Sequence, residues 1–418
     1  MRGGHTTRRQ IVPKKVSVPQ QMSVYAIEVA RRQQDVTWRW LIGDPFTVSL
    51  DFRGSRPPVL KKNLLLAGPK LGRRHEENNG SMQLPEIESP VQNISTHPSL
   101  EPRVPRIAIV GAGFVGSTTA YALVMSGMAA EIVLIDRDSR RAEGHVNDLR
   151  DAEVFSHTTR IYVGDFSDCC SADVTIITAG VSQSGQKSRI EGLRDTGAIL
   201  HGLVNDVCLQ NPSGILLIAS NPVDVLTFAA WRWSGLPAGR VIGSGTSLDT
   251  SRFRRRLAEH YGIASVNVHA YVIGEHGDSQ IPVLSSARVA GFPLAEFSKE
   301  LGLPHEESSL ARIASETRTA GGDIIKAKGA TYYGIGAALV RIIRAILRDE
   351  RAILTVSSRV PESMQLGEVS LSLPSIVDRH GITRVLPVAL NPSERRTLEA
   401  SAEVVRRNIA SLSQTIPI

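Results

Sequence analysis

Ile107-Ala108-Ile109-Val110-Gly111-Ala112-Gly113-Phe114-Val115-Gly116 is the stretch whose reading decides the fold. The apolar run Ile107 to Val110 reads as a short buried strand, and it ends in three glycines spaced G-x-G-x-x-G. A helical pattern follows from Ser117 to Met125. A second apolar run, Ile132 to Ile135, ends in Asp136, twenty residues past Gly116. Strand, glycine turn, helix, strand and acid in that order describe a dinucleotide-binding βαβ unit. Gly111 permits the tight turn, Gly113 lets backbone N–H groups approach a pyrophosphate, and Gly116 lets helix and strand pack closely. The helix N-terminus turns its positive end to the phosphates. Asp136 is placed to accept hydrogen bonds from the adenosine ribose hydroxyls and to repel a 2′-phosphate, which favours NAD over NADP.

The alternation continues beyond this unit. Strand-like runs fall at 160–163, 174–178, 215–219 and 240–243, with helical patterns at 140–151, 191–210, 223–233 and 247–261. Six parallel strands with crossover helices make an α/β fold, a doubly wound parallel sheet of the Rossmann type, whose ligand site lies at the carboxyl ends of the strands. Further on, helical patterns at 306–326 and 332–349, short strands at 353–358, 369–372 and 385–390, and a last helix at 393–412 predict an α+β substrate and catalytic lobe. The expected division is a basic, low-order extension over 1–104, an NAD-binding domain over 105–246 and the α+β domain over 247–418.

Charge supports that division. The first 104 residues hold sixteen basic and nine acidic side chains, which is the whole of the net +7; the remaining 314 residues balance. The basic character therefore belongs to the extension, and a nucleic-acid partner argued from overall charge loses its basis. Three cysteines, Cys169, Cys170 and Cys208, make no disulfide framework or Cys/His metal spacing, so no metal is expected and a reducing cytoplasm fits. No apolar run approaches a membrane span.

Chemistry is sought where the strands end. Val272-Ile273-Gly274-Glu275-His276-Gly277-Asp278-Ser279 sets one histidine between two glycines, after an apolar run from Val266 that reads as a buried strand. Imidazole suits proton transfer near neutral pH, although a lone histidine is more often structural. Residues 181–189 are polar and glycine-bearing, the composition of a lid. Asn221, in Ser220-Asn221-Pro222-Val223-Asp224, follows a strand, and its sharp Asn-Pro turn is placed to present the amide to a ligand. Asp249 and Arg252 share a helix face, which in isolation reads as a surface ion pair.

Taken together, G-A-G-F-V-G, I-D, T-A-G, S-N-P-V-D, V-I-G-S-G-T-x-L-D-T-x-R, G-E-H-G-D-S and K-G-A-T-Y-Y resemble the NAD-dependent lactate/malate dehydrogenase family, and within it the L-lactate dehydrogenases, over residues 106 to about 412. That resemblance implies reversible reduction of pyruvate to (S)-lactate with NADH, the last step of fermentative glycolysis, in a cytoplasmic homotetramer. It makes His276 the proton donor, Asp249 its partner, Arg252 the clamp on the substrate carboxylate and Arg189 the group that polarises the carbonyl. Gln183 stands where malate-specific members carry arginine, and Asn221 and Thr331 match substrate-contacting positions. Cofactor contacts fall to Gly111, Gly113, Val115, Gly116, Asp136, Arg141, Gly180, Val181, Ser220, Asn221 and Ser244. Arg254 and His269 match the pair with which allosteric members bind fructose 1,6-bisphosphate. The lid departs from the family: it reads Gly185-Gln186-Lys187-Ser188-Arg189 where an acid usually stands at 187. The competing substrates are malate and other L-2-hydroxy acids.

Overall fold

The computed structural model describes residues 104–181 and 190–418 in full, and the backbone alone of Arg189 and of four strand segments nearer the N-terminus. The chain divides into two compact units, residues 1–94 and 95–418. In the first, Lys14–Lys15, Val24–Arg32, Asp35–Ile42 and Val48–Arg53 pair antiparallel in chain order. These strands lie within the stretch read from sequence as a low-order extension. Their β-branched and aromatic residues favour extended backbone, and only two residues separate Arg32 from Asp35.

In the second unit, β1 (Arg106–Val110), β2 (Glu131–Ile135), β3 (Arg160–Val163), β4 (Val174–Ile177), β5 (Ile215–Ile218) and β6 (Val241–Gly243) lie parallel in the order 3-2-1-4-5-6. Four helices make the long crossovers: α1 (Phe114–Ser126), α2 (Ser139–Glu153), α3 (Arg189–Gln210) and α4 (Val223–Ser234). Strand side chains alternate between two cores. Ile107, Ile109, Ile132 and Leu134 face the side covered by α1 and α2, whereas Ala108, Val110, Val133 and Ile135 face that covered by α3 and α4. Burial on both faces explains why these strands read as unbroken apolar runs.

The predicted second lobe shares this sheet. β7 (Ala352–Arg359) pairs antiparallel with β6, and β8 (Ser370–Asp378) and β9 (Gly381–Val385) continue outward to give nine strands. The helices α5 (Ser247–Tyr261), α6 (Leu294–Glu300), α7 (Glu307–Lys328), α8 (Tyr333–Leu347) and α9 (Pro392–Ser413) complete the unit. α8 packs into the α1 core and α9 into the α4 core. A third cluster, built around Phe253, Leu257, Val272 and Ile313, joins α5 to α7.

Two sequence expectations are corrected. The strand placed at 385–390 lies at Gly381–Val385; the ladder makes one more bond, Leu386 N–H to Pro374 O, and stops at Pro387, which has no N–H to give. The run from Val266 is no single buried strand. Ser265–Asn267 is a 3₁₀ turn, Val268–His269 pairs with Arg288–Val289, and Val272–Ile273 pairs with Ile281–Pro282. Val266 is 79% exposed while Val268, Ala270 and Val272 are buried, so the run is half-buried and alternating. Among the described residues no helix is long and apolar enough to cross a membrane.

Candidate active site

The carboxyl ends of the parallel strands gather the predicted nucleotide contacts. After β1 the chain turns at Gly111 (φ +107) and enters α1 with Gly113 as its N-cap. A Cβ on Gly116 would lie 1.9 Å from the Gly111 carbonyl oxygen, so the helix can seat on the turn only without one. A Cβ on Gly113 would meet nothing within 4 Å. No side chain caps α1 and no acid sits in its first turn. Its first N–H groups are therefore left without a side-chain acceptor at the positive end of the helix, the arrangement a pyrophosphate needs. The residues present fit a dinucleotide.

Asp136 follows β2 and is bound within the turn: the Ala112 N–H donates to Oδ2 at 2.6 Å, and the Asp138 N–H and Arg141 donate to Oδ1 at 2.9 and 2.7 Å. Burial alone would raise its pKa, but these donors and the Arg141 charge hold it below the ordinary carboxylate value. Gly180 and Val181 follow β4, where the Val181 N–H lies 3.5 Å from Thr196 Oγ1. Ser220 and Asn221 follow β5 and Ser244 follows β6; the Ser220 hydroxyl donates to Ala179 O at 2.5 Å and so ties two strand ends together. Val115 lies in the first turn of α1.

His276 sits beside this edge. Gly274 has φ +89, and a Cβ there would lie 2.7 Å from Ile281 Cδ1 and 2.8 Å from Ser401 Oγ. Only glycine fits that corner. The Gly274 main chain exchanges two 2.9 Å hydrogen bonds with Ser372 of β8, which fixes the turn to the sheet. The imidazole Nδ1 is 2.6 Å from Oδ2 of Asp249, and Arg252 donates to Oδ1 of the same carboxylate at 2.9 Å. Asp249 and Arg252 are one turn apart on α5 and their side chains are 2% and 11% exposed, so the surface ion-pair alternative is excluded. The His276 side chain is 28% exposed, which leaves one edge of the ring open. Burial disfavours its charged form, but the Asp249 charge and hydrogen bond outweigh this and raise the pKa above the ordinary value. Asp249 in turn resists burial through His276 and Arg252, and its pKa falls.

One participant escaped the sequence reading. Asp224, at the start of α4, is 1% exposed and accepts the His276 N–H at 2.6 Å. Burial pushes its pKa up to about 6. The signal was the acid that closes Ser220-Asn221-Pro222-Val223-Asp224, quoted for its turn and not for its carboxylate.

Other predicted residues stand apart. Thr331 lies in the link between α7 and α8, beside Tyr332, whose ring stacks on Phe114 at 5.2 Å. That stack carries the link to the nucleotide turn, although no hydrogen bond joins Thr331 to His276 among the described residues. Arg189 opens α3; Gln183 and Lys187 fall outside the described residues. Arg254 donates to Ala270 O at 2.9 Å and lies 5.4 Å over the Tyr271 ring, beside a cavity of about 450 Å³. His269 is exposed, one residue before that carbonyl. Among the described residues no three His, Cys, Asp or Glu side chains gather to hold a metal.

Similarity to known proteins agrees with this geometry. Residues 105–243 match the lactate/malate dehydrogenase NAD binding domain, and residues 246–415 match the alpha/beta C-terminal domain of the same family. The L-lactate dehydrogenase of Thermus aquaticus is 45% identical over 307 residues, 73% of this chain and 99% of that one. That of Deinococcus radiodurans is 46% identical over 301 residues, 72% of this chain and 97% of that one. The crystal structure of a lactate dehydrogenase from a Medee basin deep-sea metagenome library superposes with a TM-score of 0.71 at 40% identity, over 74% of this chain and 99% of the other. With a buried carboxylate–imidazole–guanidinium cluster set against an NAD-binding sheet, the chain belongs to the lactate/malate dehydrogenase family.

Proposed function

We propose that the protein is an NAD-dependent L-lactate dehydrogenase that interconverts pyruvate and (S)-lactate. The observation that carries this reading is the Asp249 carboxylate bound at once by His276 Nδ1 and Arg252, with the His276 turn bonded through Gly274 to β8 of the nucleotide sheet. NADH, when bound, supplies the hydride. With Nδ1–H given to Asp249, His276 presents Nε2–H to the keto oxygen and gives up its proton as the alkoxide develops. Asp249 keeps that tautomer and stabilises the imidazolium. Arg252 holds the substrate carboxylate with a fork of N–H donors, and Arg189 stabilises negative charge on the oxygen. The neutral Gln183 suits a methyl group in preference to a second carboxylate, with Asn221 and Thr331 as further substrate contacts. The nucleotide lies along Gly111, Gly113, Val115, Gly116, Asp136, Arg141, Gly180, Val181, Ser220, Asn221 and Ser244. Residues 105–246 thus bind the nucleotide and 247–418 supply the proton and the carboxylate clamp.

The working form is proposed as a cytoplasmic homotetramer. Exposed Phe155, Val266 and Leu209 (86%, 79% and 79%) are supporting apolar surface for contact between copies. Arg254 and His269 serve as the site for fructose 1,6-bisphosphate, which an arginine and a protonatable imidazole suit. NADH oxidation measured in parallel with pyruvate, oxaloacetate and 2-oxoisocaproate, with and without the sugar bisphosphate, tests the substrate and the effector. Pyruvate is expected to lead in kcat/KM by about tenfold or more, and the effector to sharpen its saturation curve. A lead for oxaloacetate would reassign the substrate, and superimposable curves would remove the effector.

A further inference from the structure

Asp224, 1% exposed, is as deeply buried as Asp249, and it bonds three other pieces of chain. It stands on α4. Its Oδ2 accepts the His276 N–H at 2.6 Å; its Oδ1 accepts the hydroxyls of Ser357 on β7 at 2.6 Å and of Ser372 on β8 at 3.2 Å. Ser372 also takes the Thr246 N–H on its hydroxyl at 3.1 Å, directly before α5, the helix of Asp249 and Arg252. Gly274 pairs through its main chain with the same Ser372. The two ends of the proton relay, the His276 turn and the start of α5, are therefore bound to one buried carboxylate and the serine it holds.

A fold that needed only a spacer here could use an apolar side chain, since burying a carboxylate costs free energy even when donors surround it. Three donors meet the carboxylate, and no arginine or lysine is paired with it among the described residues. The charge near it is the imidazole of His276 when protonated, with Glu275 as the opposing acid on the same turn. Asp249 and Arg252 reach it only through that imidazole. Ser357 and Ser372, from the strands packed against it, carry no charge.

We propose that Asp224 is a positioning residue for the proton transfer: it holds the main chain of the His276 turn against the sheet, and its negative charge favours the imidazolium over the neutral ring. The proposal rests on His276 being the proton donor. Protonation of Asp224 relaxes the hold and removes the charge together.

The test is Asp224→Asn in the full chain, with NADH affinity by fluorescence and pH profiles of kcat/KM for pyruvate. Asparagine keeps the shape and an acceptor for the His276 N–H, so NADH is expected to bind as in the wild type. kcat/KM is expected to fall by about tenfold or more, and the alkaline limb, where His276 loses its proton, to move to lower pH by about half a unit or more. A profile superimposable on the wild type with intact NADH binding would overturn the proposal. If the variant does not fold, Ser357→Ala keeps the carboxylate and removes one donor. The carboxylate then takes its proton at higher pH, and the acid limb of pyruvate reduction is expected to move upward; an unmoved limb would count against the role. His276→Asn, run alongside, separates the two levels. If it retains activity, the assignment of the proton donor fails whatever Asp224 does.

Discussion

Two carboxylates hold His276, and their characters differ. Asp249 is ionised and paired, held below the ordinary value by His276 and Arg252 against the effect of burial. Asp224 is buried without a full countercharge and is pushed up to about 6. The signs follow. His276 has a raised pKa, so its coupling stabilises the fold fully below the unfolded value of about 6.5 and is lost as pH rises through the higher folded value. Asp249 contributes above its unfolded value of about 3.9, and that contribution is lost as pH falls through its lowered folded value. Asp224 acts in the opposite sense: its ionisation lowers stability as pH rises from the unfolded value of about 3.9 to about 6, and the loss is complete above that. With His276 as the proposed proton donor, pyruvate reduction would use the charged ring and lactate oxidation the neutral one. Asp249→Asn removes the charge that sustains the imidazolium, so kcat/KM for pyruvate at neutral pH is expected to fall by about 10² or more. The alkaline limb should move to lower pH, and lactate oxidation should lose less. Profiles in both directions check this, and an alkaline limb that stays in place would break the Asp249–His276 assignment.

At the scale of elements, the junction of β1 with α1 separates packing from binding. Gly116 is where the helix meets the turn, and the atom its Cβ would strike is the Gly111 backbone oxygen. Replacing glycine by alanine within a helix is worth up to about 1 kcal/mol in propensity, but a clash with backbone costs about 1–3 kcal/mol. Gly116→Ala is therefore expected to lower both the melting temperature and NADH affinity. Gly113→Ala meets open space, so it should leave the melting temperature within about 2 °C while weakening NADH by about tenfold or more. Thermal melts and fluorescence titration distinguish the two; equal loss of stability in both variants would contradict the assigned geometry. The elements themselves were legible where burial was uniform. β1 to β6 and α5 fall within a residue or two of their expected places because both faces of the sheet are covered. Legibility failed where one face is open, at Val268 to Ile273, and where a proline ends a ladder early, at Pro387.

At the scale of the molecule, residues 95–418 form a compact unit of their own. Relatives covered over 97–99% of their own length match only 72–73% of this chain. Deleting residues 1–104 is therefore expected to leave kcat/KM for pyruvate within about twofold and to remove the basic charge that sets the pI of about 9.5. Purified full-length and shortened chains compared in the same assay check this, and a loss beyond about tenfold would make the extension part of the enzyme. By itself the sequence determined the doubly wound sheet and its glycine turn, and offered His276, Asp249 and Arg252 as candidates through their motifs and spacing. Those are local facts: apolar runs, glycine spacing and a one-turn separation on a helix. Only the tertiary structure decided that β7, β8 and β9 extend the nucleotide sheet, that Asp249 is buried and bidentate, and that Asp224 reaches the His276 main chain from 52 residues away. Such pairings join segments distant in sequence, and no local pattern records which buried donors will meet a given carboxylate.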